Sequence, residues 1–256
     1  MVFACAEAKN RLGSRAEIMP ATIVEYELEQ IERLNGVGRQ PVVFIQSLWL
    51  LPCSWDRWIE RFEEAGYAAL SPGWPDPEMA LEVGQVADYY ETILRGLRKK
   101  PAVIGHSFGG TIAVMLAGRG CSAASTAVAP VPLHGLLSPL TFERFRVTFA
   151  NAVSEQEARE LYECFSVANL NAEKKDDVEE SQNRGPLLVV AAGMDRTVPP
   201  VVVKTAAEIE ARNSGVTEYV EMPGRGHSLT IDRGWHEVAD LTLAFVQRFA
   251  PAGVRA

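Results

Sequence analysis

The stretch PAVIGHSFGGTIAVMLAGRG, residues 101–120, decides the fold. A branched apolar run reaches Gly105-His106-Ser107-Phe108-Gly109-Gly110 and turns at once into small and apolar residues with helical period. A buried strand continuing through this point would carry branched apolar side chains, not a serine among glycines. The pattern therefore predicts a strand, a tight turn and a helix, with Ser107 at the turn. Such a turn either connects two elements or holds the hydroxyl out for chemistry.

The same texture repeats on both sides. Val- and Ile-rich runs predict buried strands at 42–46, 67–71, 102–106, 126–130 and 187–192, and EYVEM (218–222) alternates as a half-exposed strand does. Between them, helical period covers 54–66, 86–99, 108–120, 201–213 and 235–250. Ser54 is placed to cap the first of these helices and Gly66 to end it. Pro199 and Pro200 suit the first turn of a later helix. Strand–helix alternation predicts the α/β class: a mostly parallel, twisted sheet with helices on both faces. Crossovers of this kind put all strand C-terminal ends on one edge, where ligands bind.

Residues 133–185 break the alternation, with no convincing strand. They read as a small helical cap inserted before the strand at 187–192, with Ser154 and Glu157 forming a capping box for a helix to about Phe165. The charged run at 173–180 reads as a solvated face and 171–185 as a mobile exit. Residues 1–20 read as a mobile leader and 21–256 as one domain, with TIVEYEL (22–28) a possible extra strand.

Composition excludes several classes of function. Lys and Arg number 25 against 33 Asp and Glu, a formal charge of −8. Nucleic acid and anionic membrane both reward clustered cations, so neither is an expected partner. No apolar stretch approaches the ~20 residues of a membrane span. The charged N-terminus lacks the apolar run of a signal peptide. Cys5, Cys53, Cys121 and Cys164 are scattered, which favours reduced thiols and a cytoplasmic location. Neither cysteines nor histidines show metal spacing, so no metal or cofactor is expected.

A serine hydroxyl needs a base, so the four histidines matter. His106 adjoins Ser107 at a sharp turn and reads as a packing or loop-orienting residue. His134 opens the insertion and reads as a surface residue, and His236 lies within the last helix as a structural one. His227, in the glycine-rich PGRGHSL after the last strand, is the candidate base. The imidazole needs a carboxylate to fix its tautomer. Asp195, in the turn after LLVVAA (187–192), supplies one, although Asp there also serves as an Asx-turn or cap. Asp232 is too close along the chain to reach the ring. Ser107, Asp195 and His227 thus each follow their own strand.

Four segments together, GHSFGG, GMDRTVP, PGRGHS and VVFIQSLWLLPCSWDRW, resemble the α/β-hydrolase fold family from about Pro41 to the last helix. The resemblance implies that Ser107 attacks an acyl carbon, His227 carries the proton and Asp195 orients His227. It also implies an oxyanion hole from the backbone N–H groups of Phe108 and Leu48. Family members commonly carry His-Gly after the first strand, where this chain has Gln46-Ser47. A serine nucleophile disfavours the dehalogenase and epoxide-hydrolase branches. The expected function is therefore a cofactor-independent serine hydrolase acting on a small ester or related acyl compound. Lactonase, thioesterase and carbon–carbon hydrolase stay open, as does a non-catalytic binding protein on the same scaffold. Trp49, Leu48, Phe108, Phe142, Phe145 and Phe149 are candidate pocket walls, the three last equally readable as the core of the insertion.

Overall fold

A computed structural model describes residues 25–75, 81–132, 141–166, 172–173 and 184–253. The leader at 1–20, His134 and most of 171–185 lie outside the described residues.

Six strands form one parallel sheet: β1 (Pro41–Ile45), β2 (Ala68–Leu70), β4 (Ala102–His106), β5 (Ala124–Val128), β7 (Leu187–Ala192) and β8 (Thr217–Met222). Their order is β2-β1-β4-β5-β7-β8. The chain runs outward from β1 to β2, then returns to build β4 on the other side of β1. The direction of winding reverses between β1 and β4, which opens a crevice at their C-terminal ends.

Alternate residues of the central strands feed two cores. Val43 and Ile45 face one side, where α1 (Glu25–Val37), α3 (Val83–Gly96) and α4 (Phe108–Gly118) pack. Val42 and Phe44 face the other, where α2 (Asp56–Glu64) and α7 (Trp235–Phe249) pack. On that second face Phe44, Trp55, Trp58 and Phe62 form an aromatic group with ring centroids 5.0–6.2 Å apart. Helix α6 (Pro200–Glu210) covers β7 through Val203 and Ala207. Both faces of the sheet being buried, its strands read as continuous apolar runs. Edge strand β8 is half-exposed, as its sequence predicts, but without in–out alternation of burial: its residues are all partly buried except the exposed Glu221.

Several boundaries differ from expectation for identifiable reasons. The described part of TIVEYEL, residues 25–28, is helical, within a helix that spans Glu25–Val37; residues 22–24 lie outside the described residues. The alternation of Val24, Tyr26 and Leu28 imitates a strand, but Tyr26 and Leu28 are half exposed and the buried pair is Ile31 and Leu34, at helical spacing. Ser54 does not cap α2: Pro52 starts a 3₁₀ turn (Pro52–Trp55) that absorbs it. Gly66 does end that helix, at a φ of 94°. Within the insertion, Phe142–Arg144 leads into a π turn (Phe145–Phe149), and α5 (Glu155–Phe165) follows. The Ser154 hydroxyl accepts from the Glu157 amide at 3.2 Å, but the Glu157 carboxylate turns instead to the Arg233 amide at 2.8 Å. The insertion also holds a short strand, β6 (Ala172–Glu173), paired in parallel with β3 (Leu81–Glu82). Two residues are too few to leave a periodic signature.

Candidate active site

Strand β4 ends at His106 and α4 begins at Phe108, so one residue makes the whole turn. Ser107 does so at φ 57° and ψ −117°, a strained conformation for a residue with a Cβ. Two glycines make the turn possible by close approach. A Cβ on Gly105 would lie 1.9 Å from the Gly109 carbonyl oxygen, and one on Gly109 would lie 2.2 Å from that of Ile45. The second contact packs the start of α4 against the end of β1. It thereby sets the Phe108 amide, at the positive end of α4, beside the loop that carries Leu48.

Asp195 follows β7 and is buried. Its Oδ1 accepts from the Thr197 and Val198 amides, each at 2.8 Å, and its Oδ2 accepts from Nδ1–H of His227 at 2.6 Å. The carboxylate is thus an Asx-turn acceptor and a histidine partner together; the two readings were never exclusive. His227 is fully buried, its Nε2 has no hydrogen-bond partner, and the Phe149 ring stands edge-on 4.7 Å away. With Nδ1 committed to Asp195, Nε2 is the nitrogen left to accept a proton.

His106 plays the loop-orienting part expected of it. Nε2–H donates to the His227 carbonyl at 2.9 Å, and Nδ1 accepts from the Thr230 hydroxyl at 3.2 Å, the tautomer that this pairing requires. Burial, and then the neighbouring His227, push its pKa well below the usual imidazole range, so it stays neutral. Asp232 is engaged elsewhere. It receives Arg225, the Ser228 hydroxyl at 3.4 Å and the Gly234 amide at 3.0 Å.

The insertion is stitched to all three loops. The Phe149 carbonyl accepts from the Ser228 amide at 2.9 Å, and the Asn151 side-chain amide donates to the Met194 carbonyl at 2.7 Å. The Phe165 carbonyl accepts from the Leu51 amide at 2.9 Å.

The predicted wall residues divide. Trp49 and Leu48 are buried in the loop after β1. Phe149 touches His227 and His106, and Phe145 stacks on Phe149 at 4.9 Å. Phe142 packs within the insertion, against Tyr162 at 5.6 Å and under the Arg159 guanidinium at 4.2 Å. These ring contacts are those of insertion core. Trp74 was missed. It follows β2 in SPGWPD, and its ring lies 5.6 Å from that of Phe108. A tryptophan in a loop at a strand's C-terminal end was the available signal.

Among the described residues no group of three or more His, Cys, Asp or Glu is placed to hold a metal ion. Among them too, no helix is long and apolar enough to cross a membrane.

A parallel sheet that presents a serine on a one-residue elbow beside its point of reversal defines the α/β-hydrolase class. The model of the alpha/beta hydrolase family matches residues 42–241, and the chain belongs to that family. Solved structures share the fold at low identity. An extracellular α/β-hydrolase from a Paenibacillus species, with structural and functional homology to tobacco salicylic acid binding protein 2, is 17% identical. It superposes with a TM-score of 0.65 over 80% of this chain and 98% of its own. A monoacylglycerol lipase from Paleococcus ferrophilus is 16% identical with a TM-score of 0.65, over 83% and 98%. The thioesterase domain of the curacin biosynthetic pathway is 15% identical with a TM-score of 0.57, over 81% and 92%. No curated protein sequence matches this chain.

Two expectations are corrected here. The cytoplasmic location inferred from sparse cysteines conflicts with the extracellular description of the Paenibacillus enzyme. Reduced thiols throughout conflict with Cys53, which is disulfide-bonded, while Cys121 and Cys164 are free. Spacing along the chain does not determine which cysteines meet in space.

Proposed function

We propose that this protein is a serine hydrolase that cleaves a carboxylic ester or related acyl bond, with Ser107 as nucleophile, His227 as base and Asp195 as its orienting carboxylate. One observation carries the reading: a buried Asp195–His227 pair at 2.6 Å whose outer nitrogen has no partner, at the sheet edge that presents Ser107. Ser107 Oγ attacks the acyl carbon as Nε2 of His227 takes its proton. The imidazolium is stabilised by Asp195 and returns the proton to the leaving alcohol. The backbone N–H groups of Phe108 and Leu48 receive the oxyanion; backbone donors persist whatever side chain stands at 46 and 47. Water, activated by His227, then releases the acid. Residues 21–256 act as one domain, with 133–185 as its cap.

The lipase and thioesterase relatives use bonds of this class, which supports an acyl substrate without choosing the bond. Turnover of p-nitrophenyl esters from acetate to decanoate, with thioesters and lactones alongside, makes that choice. Hydrolysis abolished by Ser107→Ala is the expected result. Folded protein inert toward the whole panel would support instead a binding protein on the same scaffold.

A further inference from the structure

Some of the buried polar side-chain atoms without hydrogen-bond partners follow strands at the C-terminal edge of the sheet. Besides Nε2 of His227 they comprise both side-chain amide atoms of Gln46, Oγ of Ser47 and the indole nitrogens of Trp49 and Trp74. Residues 46, 47 and 49 follow β1, Trp74 follows β2 and His227 follows β8, so three separate loops contribute. Folded proteins pair nearly all buried polar groups, and a cluster left unpaired beside a nucleophile asks for a ligand.

Trp74 brings this group against Phe108, next to Ser107. The Trp74 ring lies 5.6 Å from that of Phe108 and 5.9 Å from that of Tyr90. The Gln46 side chain approaches the Tyr90 hydroxyl, whose proton goes to the Gly73 carbonyl at 3.1 Å; Gln46 itself makes no hydrogen bond of normal geometry. The Gln46 carbonyl oxygen sits 2.5 Å from where a Cβ on Gly109 would stand, which fixes this residue against the first turn of α4. The chemistry of the set has a sign. An indole nitrogen only donates, and Gln46 and Ser47 each offer a donor as well. What satisfies all three is an acceptor.

We propose that Trp74, with Gln46 and Ser47, forms a hydrogen-bonding subsite for an oxygen acceptor carried by the acyl substrate near its scissile carbonyl. The inference rests on the serine-hydrolase reading and narrows its substrate class to oxygenated acyl compounds over plain aliphatic ones. A site built to pair with a substrate oxygen penalises the analogue that lacks it, because the site's own donors are then left buried and unpaired.

The test compares p-nitrophenyl methoxyacetate with p-nitrophenyl butyrate, which differ by an ether oxygen in place of one methylene. Alkaline hydrolysis of the two esters gives their intrinsic reactivity ratio. In the wild-type protein the kcat/KM ratio should exceed that value by about tenfold, the worth of one or two hydrogen bonds. Trp74→Phe keeps an aromatic ring against Phe108 and removes the N–H; Gln46→Met keeps length and removes the amide. A threefold or greater fall of the ratio in either variant, with melting temperature confirming the fold, is the expected result. A smaller change in both, as for donors that merely hold ordered water, overturns the subsite. Fluorophosphonate labelling of Ser107 separates the failures. Labelling with an unmoved ratio, or with neither ester turned over, sinks the subsite alone; no labelling of folded protein sinks the hydrolase reading with it.

Discussion

Replacing Asp195 with asparagine should uncouple stability from activity, because the two oxygens of the carboxylate do different work. Oδ1 accepts two backbone N–H groups at 2.8 Å, and Oδ2 accepts Nδ1–H of His227 at 2.6 Å. An amide has one acceptor oxygen. The Thr197 and Val198 amides hold it on the Oδ1 side, since the reverse orientation would set NH₂ against two donors. The NH₂ group then faces His227 and can only donate. Nδ1 must become the acceptor, and the ring proton moves to Nε2, where it blocks deprotonation of Ser107. A wrong tautomer in a serine triad costs about 10⁴-fold in kcat. The fold keeps its turn, so Asp195→Asn should melt near the wild type. Asp195→Ala instead strands two N–H groups, at roughly 1–3 kcal/mol each where they are buried. Ester kinetics and urea denaturation of both variants make the comparison. Retention of more than a tenth of wild-type kcat by Asp195→Asn would refute the orienting role. Equal stability of the two variants would refute the turn argument.

Three further outcomes are expected. Gly109→Ala places a Cβ 2.2 Å from the Ile45 carbonyl oxygen, about 1.2 Å short of the 3.4 Å at which contact becomes ordinary; displacing the loop that carries Leu48 that far should lower kcat/KM about 100-fold, and near-wild-type kinetics would contradict the packing argument. His106 is held neutral by burial, so its folded pKa lies below the unfolded value of about 6.5. The unfolded chain then binds the extra proton first, and stability falls as pH drops below about 6.5, by at most ~1.4 kcal/mol per pH unit. His106→Gln should flatten the pH dependence of melting between about pH 6.5 and 5, and an unchanged slope would count against a neutral His106. Asn151→Asp exchanges the donor that holds the Met194 carbonyl for an acceptor, and should reduce kcat roughly tenfold with little change in KM; a change confined to KM would assign Asn151 to substrate contact.

Features set by chain-local chemistry were legible. Apolar runs predicted five of the six strands of the main sheet, because a sheet covered on both faces leaves no alternation to confuse, and the alternation of EYVEM predicted the sixth. The G-x-S-x-G spacing predicted the elbow, because glycine alone fits where backbones approach within 3 Å of a missing Cβ. Ser107, His227 and Asp195 could be nominated together because each follows a strand of the same sheet, and the structure pairs two of them, Asp195 and His227. Features that depend on meetings in space were not. Of the strand read at 22–28, residues 25–28 are helical, since burial of Ile31 and Leu34 overrides the alternation of Tyr26 and Leu28. Trp74 gained meaning only when β2 was laid beside β1 and its ring met Phe108. Glu157 left its capping box because Arg233, 76 residues away, offered a backbone amide. The disulfide at Cys53 was invisible for the same reason.

The most direct test of the central claim is covalent capture of the nucleophile. Wild-type protein incubated with a fluorophosphonate and analysed by intact mass and peptide mapping should carry one adduct, on Ser107, formed much more slowly in His227→Ala and absent in Ser107→Ala. Folded wild-type protein that stays unlabelled, or that is labelled at another residue, would contradict the account.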